Sequence, residues 1–134
     1  MSGIVLDASV AAAWLLREEL DPPALTALDI LRSEGVCVPP LWHYEVRNAL
    51  LVAERRGRVP DGGARRGLET LRDASIDTDE ATDLDTALEL ALAHGLSFYD
   101  ASYLELARRR GLPLATRDRA LARAVRAEGL EVVA

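Results

Sequence analysis

The sequence predicts an α/β fold: a three-layer α/β/α sandwich around a mainly parallel central sheet of about five strands. Three observations lead there. Short apolar runs alternate with segments whose apolar residues recur at helical spacing, the runs lie too far apart along the chain to form hairpins, and glycines and prolines fall at the ends of helical segments. Strands joined by helical crossovers pair in parallel through right-handed connections.

Ile4-Val5-Leu6 is a strand-like run ending at Asp7, and Ser9 is placed to cap a helix over residues 10–16. Asp21 followed by Pro22 signals the next helix, with Leu25, Leu28 and Leu31 on one face until Gly35 stops it. Val36-Cys37-Val38 is the second strand. After Pro39-Pro40 a helix carries Leu41, Glu45, Ala49 and Ala53 and ends near Gly57. Pro60 and Asp61 open another, with Ala64, Leu68 and Leu71 inward, and Ser75-Ile76-Asp77 reads as a short third strand. Leu84, Leu88, Ala91 and Leu92 repeat at helical spacing as far as His94-Gly95. A helix starting near Asp100 follows, then a fourth strand over residues 112–115 that Pro113 weakens, a last helix from Asp118, and a final strand over residues 130–133.

A chain of 134 residues is expected to make one domain, spanning 1–134. Hydrophobic residues at 49% and charged residues at 28% place it among globular proteins and away from the polar bias of disorder. The longest apolar run, residues 10–16, is far short of the roughly 20 residues of a membrane-spanning helix. The first residues form no secretory leader, so a cytoplasmic protein that avoids the membrane is expected. Cys37, between two valines, reads as a buried small hydrophobe.

The formal net charge of −6 argues against a nucleic-acid coat protein, whose affinity comes from cation–phosphate contacts. It is compatible with a nuclease that gathers carboxylates to hold a divalent metal, which then meets the phosphate. All 16 basic residues are arginine. Phosphate-loop, Schiff-base and lysine-dependent phosphotransfer chemistry therefore lose their essential amine.

In open parallel sheets ligands bind beyond the carboxyl ends of the strands. Asp7 closes the first strand and Asp118 follows the fourth, so both belong to that rim; Asp100 is within reach of it, as is Glu45. Taken singly, Asp7, Asp100 and Asp118 are more simply helix caps. Glu45 is different because it interrupts an apolar stripe, and a buried carboxylate is costly unless paired or metal-bound. A cluster of like charges persists when a cation neutralises it.

Val5-Leu6-Asp7-Ala8-Ser9-Val10 resembles the opening motif of PIN domains. Tyr44-Glu45-Val46-Arg47-Asn48-Ala49-Leu50 resembles their second motif, Tyr99-Asp100-Ala101-Ser102-Tyr103 their third and Thr116-Arg117-Asp118 their fourth, in order and with similar spacing. The agreement covers nearly the whole chain and is strongest with VapC-type toxins of VapBC toxin–antitoxin pairs. The resemblance implies a metal-dependent endoribonuclease with Asp7, Glu45, Asp100 and Asp118 as its acidic site. It further implies Ser9 and Thr116 as supporting polar groups, and Mg²⁺ or Mn²⁺ bound by Asp7, Asp100 and Asp118. Products with 5′-phosphate and 3′-hydroxyl ends are expected. Asn48 is placed to hold Glu45 or a metal-bound water, with a plain surface amide as the alternative, and Arg117 is a candidate phosphate contact. A VapB-type antitoxin and a homodimer are implied as partners, with the region of Trp14, Leu15 and Leu16 as either a binding surface or core.

Simpler readings apply elsewhere. His43 and His94 have no ligand spacing, Trp14 and Trp42 read as core aromatics, and Arg55, Arg56, Arg58, Arg65 and Arg66 crowd a helix connection as a solvated surface would. The alternative function is a non-catalytic PIN-like interaction module that keeps its acids for structure. Phosphatase chemistry on another α/β fold is weakened by the missing lysine.

Overall fold

The fold is organised on β1 (Ile4–Leu6), which lies between β2 (Val36–Val38) and β4 (Leu114–Ala115) and runs parallel to both. On the outer side of β2 lies β3 (Ile76–Thr78), giving a parallel sheet in the order β3-β2-β1-β4. The structure, a computed structural model, describes residues 3–16, 22–72 and 74–133, and the side chains of these apart from residues 22–24. Every residue of β1 and β2 is buried. Helices on both faces of the sheet account for this, because strands covered on both sides read as continuous apolar runs with no polar alternation.

The helices are α1 (Ala8–Leu15), α2 (Pro22–Ser33), α3 (Leu41–Arg55), α4 (Gly63–Glu69), α5 (Leu84–His94), α6 (Phe98–Arg110) and α7 (Arg119–Ala127). Packing joins α1 to α2 and α3, α3 to α4, and α6 to α5 and α7, while α2 and α6 both lie against β1. The architecture is the expected α/β/α sandwich. Gly35, with φ of +86°, makes the turn from α2 into β2, where an added Cβ would stand 2.9 Å from the Ser75 carbonyl oxygen.

Several boundaries differ from expectation. The fifth strand is reduced to one parallel bridge between Leu114 and Val132. Pro113 has no N–H to offer, so Leu114 makes both bonds, donating to the Glu131 carbonyl at 3.0 Å and accepting from Val133 N at 3.0 Å. Ser9 lies inside α1 and is not its cap, since Asp7 is the boundary residue. The helix expected near Asp100 begins two residues earlier, because the Ser97 hydroxyl oxygen accepts from Asp100 N at 3.1 Å and caps it. The cap expected at Asp21 lies outside the described residues.

The structure decides which apolar face of α5 is buried. Leu84, Leu88 and Leu92 are 63%, 50% and 77% exposed, whereas Ala87, Leu90 and Ala91 are buried. This helix has two apolar faces, and close approach to α6 selects the one containing the small alanines. The bland readings of other residues agree with the structure. Cys37 and Trp42 are buried, His43 Nε2 lies 2.8 Å from the Thr78 hydroxyl, and His94 Nε2 lies 2.7 Å from a Glu128 carboxylate oxygen.

A charge network unforeseen in the sequence ties α6 to β3. Asp79 is buried just past β3 and accepts from Arg109 Nη1 and Nη2 at 2.9 and 3.0 Å and from Arg110 Nε at 2.7 Å. Arg109 Nε also donates to the buried Glu105 at 2.8 Å, and Arg110 Nη1 donates to Asp77 at 2.9 Å. Hydrogen bonding from Arg109 holds the Asp79 carboxyl well below the usual carboxylate range, against the opposing effect of its burial. A depressed acid contributes stability that is present above the ordinary value of about 3.9 and is lost as pH falls towards the folded one. Asp79→Ala is therefore expected to lower unfolding free energy by about 2 kcal/mol at pH 7. Urea titrations should show that deficit shrinking as pH drops below about 3.9, and a constant deficit would contradict the ionic account.

Candidate active site

The carboxyl ends of the four parallel strands share one rim, and the polypeptide leaving β1 there places Asp7 beside the polypeptide leaving β4. Asp7 N donates to the Ala115 carbonyl at 3.0 Å, which fixes the two loops together. Asp7 is only 6% exposed. Its Oδ2 accepts from the Thr116 hydroxyl at 2.6 Å and from the Ser9 hydroxyl at 2.9 Å. Both hydroxyls are themselves held by backbone amides of the β4–α7 loop. Asp118 N donates to Thr116 Oγ1 at 3.0 Å, and Arg117 N donates to Ser9 Oγ at 3.2 Å. Short polar side chains are needed here because a hydroxyl can receive from an amide while donating to a carboxylate.

Asp118 sits at the N-terminus of α7, where its Oδ1 accepts from Leu121 N at 2.9 Å. The simple cap reading of this residue thus holds without removing it from the rim. Asp100 comes from the first turn of α6, and Glu45 projects from α3. Glu45 Oε1 accepts from the buried Tyr103 hydroxyl at 2.7 Å. Tyr103 lies on the same helix as Asp100, one turn further along, so α6 both supplies one acid and orients another.

Charge effects link Glu45 to Asp7 and Asp100, and link those two to each other and to Asp118. Burial raises the Asp7 carboxyl above its usual range, with the Asp118 charge adding to the rise against the lowering effect of the Thr116 and Ser9 hydrogen bonds. Glu45 is raised by burial and by the charges of Asp7 and Asp100, with the Tyr103 hydrogen bond opposing. Asp100 is raised by burial and by Asp7 and Asp118. The Tyr103 hydroxyl is held far above its ordinary range by burial and by the adjoining Glu45, so it remains a donor.

The sequence candidates Asp7, Glu45, Asp100, Asp118, Ser9 and Thr116 are therefore brought together. Asn48 is exposed one turn beyond Glu45, and the recorded bond to Glu45 comes from Tyr103. Arg117 has an exposed side chain beside Asp118, and its amide is part of the scaffold. Tyr103 is the residue whose role was missed. Its signal was a tyrosine three positions after Asp100, on the same helix face as that acid.

Hard carboxylate oxygens suit Mg²⁺ or Mn²⁺. Among the described residues, no three His, Cys, Asp or Glu side chains stand close enough to hold an ion directly. Mg²⁺ does not require three direct side-chain ligands, since it keeps several waters and is usually held through one or two carboxylates and the substrate phosphate.

The PIN-domain family model matches residues 4–127. A protein named Ribonuclease VapC3 from Pyrobaculum aerophilum is 37% identical over 122 residues, covering 89% of this chain and 92% of its own length. One named Exonuclease VapC9 from the same organism is 40% identical over 92 residues, covering 69% and 68% respectively. The crystal structure of PAE2754, also from Pyrobaculum aerophilum, superposes with a TM-score of 0.72 at 32% identity over 92% of this chain and 86% of that one. With the four motifs on one rim and this likeness along almost the entire chain, the protein belongs to the PIN-domain family and is of the VapC type.

Proposed function

We propose that this protein is a divalent-metal-dependent endoribonuclease and the toxin of a type II toxin–antitoxin pair, formed by residues 1–134 as a single domain. The observation that carries the reading is the chain of repelling carboxyls on one rim, Glu45 with Asp7 and Asp100 and those two with Asp118, in which hydroxyls orient Asp7 and Glu45. Such a set costs stability unless a cation occupies it.

Asp7, Asp100 and Asp118 are the proposed metal-binding acids, acting in part through metal-bound water, with Ser9 and Thr116 fixing the orientation of Asp7. When bound, Mg²⁺ or Mn²⁺ supplies the positive charge that meets the scissile phosphate and acidifies the attacking water. Glu45, held by Tyr103, is the proposed acceptor of that water's proton, and its raised basicity suits the task. The water oxygen bonds to phosphorus as the bond to the 3′ oxygen breaks. That oxygen takes up a proton from solvent, leaving 5′-phosphate and 3′-hydroxyl ends. Arg117 is assigned a phosphate contact, and Asn48 a polar contact at the edge of the site.

Two partner surfaces support the toxin reading. The exposed stripe of Leu84, Leu88 and Leu92 suits a homodimer interface. A groove of about 490 Å³ lined by Trp14, Leu15, Leu28, Leu31 and Leu71 suits the apolar face of a VapB-type antitoxin. No helix among the described residues is long and apolar enough to cross a membrane, and a cytoplasmic site of action is part of the proposal.

Purified protein freed of inhibitor is expected to cut RNA blocked at both ends in the presence of Mg²⁺. EDTA, Asp7→Asn or Asp100→Asn should abolish cleavage, and Glu45→Gln should reduce it roughly 10²-fold or more. Digestion only from free ends would overturn the internal mode of attack. Absence of any metal-dependent cleavage would overturn the enzyme.

A stability measurement separates enzyme from non-catalytic module. Carboxyls raised above about 4 disfavour the fold once they ionise, so metal-free stability should decline as pH rises through their shifted values. Asp7→Asn keeps an oxygen for the Ser9 and Thr116 hydroxyls and is expected to raise the metal-free Tm at pH 7.5 by a few degrees. Mg²⁺ should raise the wild-type Tm and leave that variant nearly unmoved, whereas a wild-type midpoint indifferent to Mg²⁺ supports the interaction module. For the dimer, Leu88→Glu with Leu92→Glu should convert the sedimenting species to monomer. A wild type that is already monomeric at micromolar concentration refutes that interface.

A further inference from the structure

The outer face of α7 holds arginines that neither the fold nor the acidic site uses. Arg119, Arg123 and Arg126 follow one another at spacings of four and three residues, so they form a single stripe, opposite the buried Leu121, Ala124 and Val125. Ala120, Ala122 and Ala127 flank it, and the helix contains no acidic residue. Among the described residues, no carboxylate pairs with any of the three arginines. The contrast with α6 is informative, since Arg109 is engaged by Asp79 and Glu105, and Arg108 shares Glu128 with His94.

An ordinary solvated helix interleaves opposite charges at these spacings, and like charges three and four apart disfavour the helix. Arg119 also lies at the positive end of the helix dipole, where a cation is unfavourable. A bound polyanion relieves all of these repulsions. The stripe starts beside Asp118, whose charge acts on Asp7 and Asp100, and it extends about 10 Å from the rim at 1.5 Å per residue. A chain of formal charge −6 with an anionic site repels RNA, so local positive charge next to that site is needed to bring a phosphate backbone to it.

Resting on the ribonuclease reading, we propose that Arg119, Arg123 and Arg126 form a track for the sugar–phosphate backbone of single-stranded RNA, leading the strand into the acidic site. The contacts are to phosphates, so the track contributes affinity and direction without reading base sequence. Small alanines on either side let the backbone lie close to the helix.

The test is the salt dependence of RNA binding by the full chain, measured by fluorescence anisotropy with a single-stranded oligonucleotide in an Asp100→Asn background. Arg119→Gln/Arg123→Gln/Arg126→Gln should flatten the slope of log affinity against log salt by about 2, since each single-strand phosphate contact contributes about 0.7. In the cleavage-competent chain the same triple change should raise KM and leave kcat near wild type. A charge-matched control, Arg55→Gln/Arg56→Gln/Arg65→Gln, should keep the wild-type slope. Circular dichroism verifies that both triples remain folded. An unchanged slope in the α7 triple, or an equal loss in both triples, overturns the track. Displacement of RNA by polyglutamate at equal charge concentration would instead make an acidic protein the occupant and also overturn it. Wild type that cuts RNA while the α7 triple binds unaltered defeats the track alone, whereas wild type that neither binds nor cuts RNA defeats the ribonuclease reading as well.

Discussion

Repulsion among four carboxylates is the constraint around which this molecule is built. Asp7, Glu45, Asp100 and Asp118 arrive from four separate elements, and burial raises three of them above the range of a solvated acid. Left to themselves, such groups separate or take up protons. Here the scaffold resists separation. Asp7 is clasped by hydroxyls that the β4–α7 loop amides hold, Glu45 is pinned by Tyr103, and Asp118 is locked into the cap of α7. The stability given up at the rim is available to whatever cation is drawn there.

The protein handles buried negative charge in two ways, and their difference separates structure from chemistry. Around Asp79 the charges are neutralised internally by Arg109 and Arg110, with bidentate geometry that holds the acid ionised. On the rim the groups that donate to Asp7 and Glu45 are neutral hydroxyls, which orient a carboxylate without cancelling its charge. Paired acids of the first kind brace α6 against the edge of the sheet. Acids of the second kind, oriented by hydroxyls, are the ones to which the proposed reading gives the binding of an ion and the movement of a proton.

Helix α6 is shared by both arrangements. Its first turn presents Asp100, its middle presents Tyr103 to Glu45, and its far end carries the arginines that grip Asp79. Because one rigid helix spans all three, the bracing at its C-terminal end fixes where its N-terminal end stands relative to β1. Placing site groups on a braced helix gives the precision that acid–base and metal chemistry need.

The fold class was legible because each strand is short, apolar and followed by its own helix, a pattern that local hydrophobic spacing records directly. The four acids were legible because each sits in a motif of neighbouring residues. What escaped depends on contacts between elements distant along the chain. Tyr103 meets Glu45 across 58 positions and Arg109 meets Asp79 across 30, and no local periodicity encodes either partner. Which face of α5 turns inward was not legible for a related reason. Leucines and alanines both satisfied the helical pattern, and only the closeness of α6 decided that the alanines would be buried. The residues alone thus determined the order of elements, the rim and the acids on it, since those follow from backbone preference and hydrophobic pattern. Tertiary packing decided which acids are gripped by arginines and which are oriented by hydroxyls, because that depends on which side chains three-dimensional folding brings within hydrogen-bonding distance.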